Sequence, residues 1–179
     1  MFENLRQSTG LLAARYRFRK AQDKVISFSQ IVSSAGTALC ILPLDTKSFH
    51  PIAPVIDLLK ARFGSENITV VSTGHSADII RSLPRGQFIH IVPGEIGAFY
   101  FPRRELIQRI KSRSHDLAVD LNLDFLLPSG YICKASGARV RIGFARERAD
   151  TFYNFQIRPN PALARKEIYT RLANCLEKF

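Results

Sequence analysis

Asp120, Asn122 and Asp124 alternate through the stretch H-D-L-A-V-D-L-N-L-D-F, just beyond a short apolar run. Carboxylates and an amide at a strand end are suited to accept hydrogen bonds from sugar hydroxyls. The same spacing suggests a calcium loop, but the turn glycine and the distal glutamate of such a loop are missing, so no metal is expected. A second group, Asp45 and His50, lies in the polar stretch D-T-K-S-F-H after another apolar run. Either is a titratable group placed to act as a general base; the alternative is an ordinary loop carboxylate and a histidine near a helix start. Arg139, Arg141, Arg146 and Arg148, with Lys134 and Arg158 nearby, form a third group. They are placed to contact phosphates as one basic face, or else to line a solvated edge. His90 and His115 are isolated from cysteines and carboxylates at ligand spacing and read as core or surface histidines.

Positioning these groups requires a scaffold, and the hydrophobic pattern supplies one. Leu39–Leu42, Ile68–Ser72, Phe88–Val92 and Leu117–Leu121 are short apolar runs of the kind buried on both faces of a parallel sheet, and Val140, Ile142 and Phe144 alternate as a strand should. Between them, apolar residues recur at three- and four-residue spacing over 52–63, 76–83, 103–113 and 126–135, which predicts helices. Pro54 falls in a first helical turn, where a missing N–H matters least, and Gly64 and Gly137 stand where helix C-caps belong. After Phe144 come a charged loop, a short extended run over 153–157 and a last helix from about residue 162 to 179. Strands alternating with helices predict an α/β fold, a doubly wound, Rossmann-like, mostly parallel sheet of five strands over residues 37–179. Ligands of such sheets bind beyond the carboxyl ends of the strands, which is where the first two groups fall, while the arginines flank the fifth strand and its loop.

Residues 1–36 stand outside this alternation and read as a basic helical appendage. Arg15, Arg17, Arg19, Lys20 and Lys24 make the segment basic, and Val25, Phe28, Ile31 and Val32 form a stripe at helical spacing. The helix either lies on an anionic membrane or RNA, or packs its stripe on the domain and leaves its arginines in water.

The net charge of +11 is uneven: residues 1–36 carry six basic and two acidic side chains, residues 101–179 fifteen and eight, and the middle is balanced. This favours an anionic partner, either nucleic acid, a phosphorylated sugar donor, an acidic protein or a membrane surface, contacted through residues 1–36 and the C-terminal half; the alternative is a solvated basic surface. Cys40, Cys133 and Cys175 lack metal or redox spacing and read as reduced thiols. No apolar run approaches the ~20 residues that span a bilayer, and arginines interrupt the N-terminal apolar residues, so a cytoplasmic location is expected. Neither G-x-G-x-x-G nor G-K-[ST] follows a strand, and the stretch T-G-H-S (73–76) offers only the helix start that any βα loop offers. No cofactor is expected.

The segments Asp116-Leu117-Ala118-Val119-Asp120-Leu121 and Gly137-Ala138-Arg139-Val140-Arg141-Ile142-Gly143-Phe144 resemble the N-terminal domain of family 9 glycosyltransferases, the group of the lipopolysaccharide heptosyltransferases. The order of the preceding strand–helix units, Arg62-Phe63 before the second strand and Tyr153-Asn154 before the last helix extend the likeness over roughly residues 38–179. The resemblance implies one half of a GT-B enzyme in lipopolysaccharide or envelope glycan synthesis, binding a glycan acceptor at the inner membrane face. Members of that family hold the nucleotide-sugar donor mainly in a C-terminal domain, and this chain ends where that domain would start. Their first βα loop carries a Gly-Asp pair whose aspartate serves as the base; the matching place here is Ser48-Phe49-His50, with Asp45 a few residues early. The expectation is therefore a chain that does not transfer sugar alone. It either works with a separate donor-domain subunit or has lost catalysis and serves as a basic binding module in a larger assembly.

Overall fold

The computed structural model describes residues 2–20, 27–44, 50–74 and 77–179. Strands β1 (Ala38–Ile41), β2 (Ile68–Ser72), β3 (Gln87–His90), β4 (Leu117–Asp120), β5 (Val140–Phe144) and β6 (Phe155–Ile157) form a single sheet. All five pairings are parallel, and the order across the sheet is β3-β2-β1-β4-β5-β6. The helices are α1 (Phe2–Phe18), α2 (Phe28–Ser34), α3 (Ala53–Phe63), α4 (Ala77–Ser82), α5 (Arg104–Lys111), α6 (Leu127–Ala135) and α7 (Arg165–Glu177). This is the doubly wound order, in which the winding reverses between β1 and β4.

The sheet has six strands, not five. The extended run after the charged loop joins the edge as β6, pairing Ile142 with Phe155 and Phe144 with Ile157. Only three residues long and half-buried throughout, it lacks the buried apolar run of β1, β2 and β4. Its membership depends on backbone bonds to β5, with Ala145 N–H donating to Ile157 O at 2.9 Å, and such bonds leave no side-chain signature.

Period-two alternation divides the core between the two faces. Ala38, Cys40 and Leu42 point toward α2, α3 and α7, where they meet Val32, Ile56, Leu59 and Leu172. Leu39 and Ile41 point the other way, toward α1, α5 and α6, and meet Leu11, Leu106 and Ile132. The alternation is why a continuous apolar run suits a strand covered on both sides. α1 and α2, outside the repeating pattern in sequence, thus each contribute buried side chains to one face. α1 approaches so closely that a Cβ at Gly10 would lie 2.3 Å from Phe99 O. Phe18, beyond Ala14, meets Tyr131 at 5.0 Å between ring centroids. Gly137 adopts φ 82°, as its C-terminal capping position requires. The three cysteines are free thiols, Cys40 and Cys133 buried and Cys175 partly so. No helix among the described residues is long and apolar enough to cross a membrane.

Candidate functional site

The strand order reverses between β1 and β4, so the chains leaving their carboxyl ends diverge and open a crevice. After β1 come Leu42, Pro43 and Leu44; after β4 come Leu121 to Leu126. Asn122 ties the two together. Its Oδ1 accepts from Leu44 N–H at 2.9 Å, while its Nδ2 donates to Asp120 Oδ1 at 2.7 Å and to Leu42 O at 3.4 Å. Asp120 Oδ1 also accepts from Asn122 N–H, and Asp120 Oδ2 accepts from the Tyr153 hydroxyl at 2.5 Å.

Asp120 is 1 % exposed and Asn122 6 %. Burial pushes the Asp120 carboxyl above the usual range, against the lowering effect of the bonds from Tyr153 and Asn122. Burial likewise pushes the Tyr153 phenol well up, and the facing Asp120 adds to it. Of the three polar residues alternating in sequence, two are therefore spent on fastening the floor of the crevice. Asp124 is different: its side chain is 89 % exposed, with Arg146 Nε 3.5 Å from Oδ1.

Above this floor lies a cavity of about 130 Å³ lined by Asn122, Leu123, Asp124, Leu126 and Arg165. Arg165 opens α7, and its placement follows from the buried Tyr169 one turn later. Tyr169 donates to Leu121 O at 2.6 Å, pinning the first turns of α7 over the end of β4. Residues four apart share a helix face, so the same contact brings Arg165 to the cavity. Arg165 has no motif in sequence; a basic residue in the first turn of the helix that closes a parallel sheet is the only available signal. The cavity thus sets one exposed carboxylate, Asp124, and the side chain of Arg165 over an amide already bonded into the floor, a set suited to a hydroxylated ligand bearing negative charge.

The other residues singled out in sequence are dispersed. Asp45 lies outside the described residues. His50 is exposed and begins a 3₁₀ turn, His50–Ile52, that packs against α7 and so belongs to the same carboxyl edge. The four arginines do not form one face. Arg139 precedes β5, at the opposite end of the sheet, and pairs with Asp116 at 2.9 Å. Arg141 is only 4 % exposed and donates to the carbonyls of Phe152 and Ala138, both at 2.8 Å. Arg146 and Arg148 stand at the carboxyl edge, Arg148 with φ 73° at the start of a short 3₁₀ turn. The physical reason for the split is strand length. Arg139 falls before the first ladder residue, while Arg141, level with Ala118 in the ladder, is covered by the segment around Phe152.

His115 is buried, with Nε2 3.0 Å from Ile110 O. Among the described residues no three or more His, Cys, Asp or Glu side chains gather as a metal site.

Comparison with family models, curated proteins and solved structures finds no match to this chain. Segments 116–121 and 137–144 are joined by a shared set of contacts. A Cβ at Gly143 would lie 2.7 Å from the Tyr153 ring, so only glycine admits that ring beside β5. The ring in turn carries the hydroxyl that reaches Asp120. Asn154 Oδ1 accepts from Arg141 N–H at 2.7 Å and its Nδ2 donates to Arg139 O at 2.8 Å. The motif residues therefore join β4, β5 and the segment before β6 into one unit. A glycine in mid-strand was the sequence signal for a close approach, and the tyrosine that uses it lies ten residues on.

Proposed function

We propose that this chain is the acceptor-binding half of a family 9-like, GT-B-type glycosyltransferase, serving lipopolysaccharide or envelope glycan synthesis. The observation that carries the reading is the cavity at the switch point between β1 and β4, where Asp124 and Arg165 converge above the bonded Asn122. In this role Asp124 accepts hydrogen bonds from vicinal sugar hydroxyls, and Arg165, with Arg146 beside Asp124, meets a phosphate or acidic substituent on the glycan. Asp120 and Asn122 act indirectly by keeping the two loops at a fixed separation.

The described residues build one Rossmann-like sheet, and a GT-B enzyme uses two. The reading therefore assigns the nucleotide-sugar donor to a second unit outside the described residues, in the same protein or in a partner, and makes sugar transfer a property of the two together. His50, on the same carboxyl edge, is the described candidate for a general base in that pair.

The test is thermal denaturation of the full chain with heptose- and hexose-containing envelope oligosaccharides, phosphorylated and not, and with nucleotide-sugars. Stabilisation by an oligosaccharide, lost in Asp124→Asn, is the expected result. Absence of any shift across the panel, or a shift indifferent to Asp124→Asn and Arg165→Ala, would overturn the reading.

A further inference from the structure

α1 presents two apolar stripes on opposite sides. One, Leu11, Ala14 and Phe18, faces the domain, with Leu11 and Ala14 buried in the core. The other consists of Leu5, Leu12 and Tyr16, which are 65, 66 and 65 % exposed. At ~100° per residue these three fall within ~40° of one another, roughly opposite the buried stripe. Leucines at two-thirds exposure, aligned on a helix already anchored by its other face, gain nothing from the fold itself.

The charges around this second stripe are one-sided. On the same helical projection Arg15 and Arg19 flank it on one side, while Arg6 and Arg17 lie ~100° round from its centre on the other. All four are exposed, and the only acidic side chain on α1 is Glu3, which is engaged by the hydroxyl of Tyr100. The Arg19 guanidinium lies 3.9 Å over the Tyr16 ring, carrying its charge at the border of the stripe. Arg6 Nε donates to Ala98 O at 2.8 Å, which ties this face of α1 to the loop before α5.

From this arrangement we propose that α1 lies flat on an anionic lipid bilayer, with Leu5, Leu12 and Tyr16 dipping into the headgroup–acyl boundary and the flanking arginines on lipid phosphates. An apolar strip bordered by arginines matches the profile of an interfacial helix. Phosphate attraction alone would equally suit RNA, but aliphatic side chains contribute nothing to a phosphate backbone, and Leu5 and Leu12 hold the centre of the face. The buried stripe supplies the rigidity: α1 is already folded against α6, so binding does not have to order it. The inference rests on α1 and stands apart from the sugar-binding reading.

The chain contains no tryptophan, so Leu12→Trp places a single reporter at the centre of the stripe. With vesicles of phosphatidylcholine containing roughly one-third phosphatidylglycerol, its emission should shift to the blue and be quenched by brominated acyl chains. Pure phosphatidylcholine vesicles should leave it unchanged. In co-sedimentation, wild type should partition to the anionic vesicles. The combined variant Leu5→Ala, Leu12→Ala, Tyr16→Ala should lose well over tenfold, since each fully buried apolar side chain contributes up to about that factor and the three multiply. Arg15→Glu with Arg19→Glu should lose binding too, and high salt should weaken wild type. All three apolar positions are exposed, so circular dichroism of the variants should match wild type. An emission unmoved by anionic vesicles would overturn the proposal. So would equal partition of the triple variant, or binding to an RNA oligomer without binding to vesicles. A dimer lost in the triple variant, with no vesicle binding, would overturn it in favour of self-association.

Discussion

The Tyr153 hydroxyl donates to Asp120 Oδ2 at 2.5 Å while the Tyr153 ring covers Gly143, so one side chain links the end of β4 to the middle of β5. Tyr153→Phe keeps the ring and leaves Asp120 one donor short. A buried acceptor losing its partner costs about 1–3 kcal/mol, which urea unfolding would measure. Gly143→Ala forces the ring away from β5, and overpacking of this kind costs about 1–3 kcal/mol. Because both changes disturb the same contact, the double variant should fall short of the sum of the singles.

Asp120 and Asp124 should part company on mutation. Asp124→Asn touches an exposed side chain with one 3.5 Å ion pair, so its melting temperature should stay near that of wild type while the sugar-dependent shift disappears. Asp120→Ala removes the acceptor shared by Asn122 and Tyr153, and should lower the melting temperature by several degrees without any ligand present.

Two aspartates should bend the acid stability curve in opposite directions. Burial alone would raise the Asp116 carboxyl, but hydrogen bonds from Gly36, Arg139 and Thr37 hold it below its ordinary value. A depressed carboxyl stabilises the fold above the unfolded value, near ~3.9, and that contribution is lost as pH falls through the folded value. Asp116→Asn should therefore cost most at neutral pH and least in strong acid. Asp120, raised by burial, binds its proton more readily folded than unfolded. Its contribution declines as pH rises from ~3.9 through the folded value, so Asp120→Asn should flatten a loss of stability over that window. Denaturant midpoints across pH 2–7 for the three proteins separate the two signs.

His115 adds a slope at milder pH. Burial lowers its pKa, with the contact to Ile110 O opposing. The unfolded chain then takes up the proton first, so stability is full above ~6.5 and falls as pH drops toward the lowered folded value. His115→Leu should flatten the curve in this window. A proton-NMR titration of the imidazole in wild type, showing a midpoint below ~6.5, would confirm the source.

The α/β class, the first five strands and the helices between them were legible in the chain itself. Burial on both faces demands continuous apolar runs such as Leu39–Leu42, and one-sided helices demand three- and four-residue spacing. The extended run over 153–157 was legible too, but not its place in the sheet, because β6 joins through backbone hydrogen bonds and shows no apolar run. The site was legible only as a region. Position at the end of β4 follows from sequence, but Asp120, Asn122 and Asp124 alternate identically there, and spacing cannot say which is consumed by a neighbour.

Tertiary structure made that choice. Tyr153, thirty-three residues away, takes Asp120; Leu44 N–H takes Asn122; Tyr169 carries Arg165 to Asp124's side of the cavity. It likewise sorted the arginines, burying Arg141 against backbone carbonyls and leaving Arg146 at the crevice. Periodicity is a local property, imposed by which face of an element meets water, and a single sequence records it. Which polar group finds a partner depends on contacts between distant segments, and those exist only once the sheet has assembled.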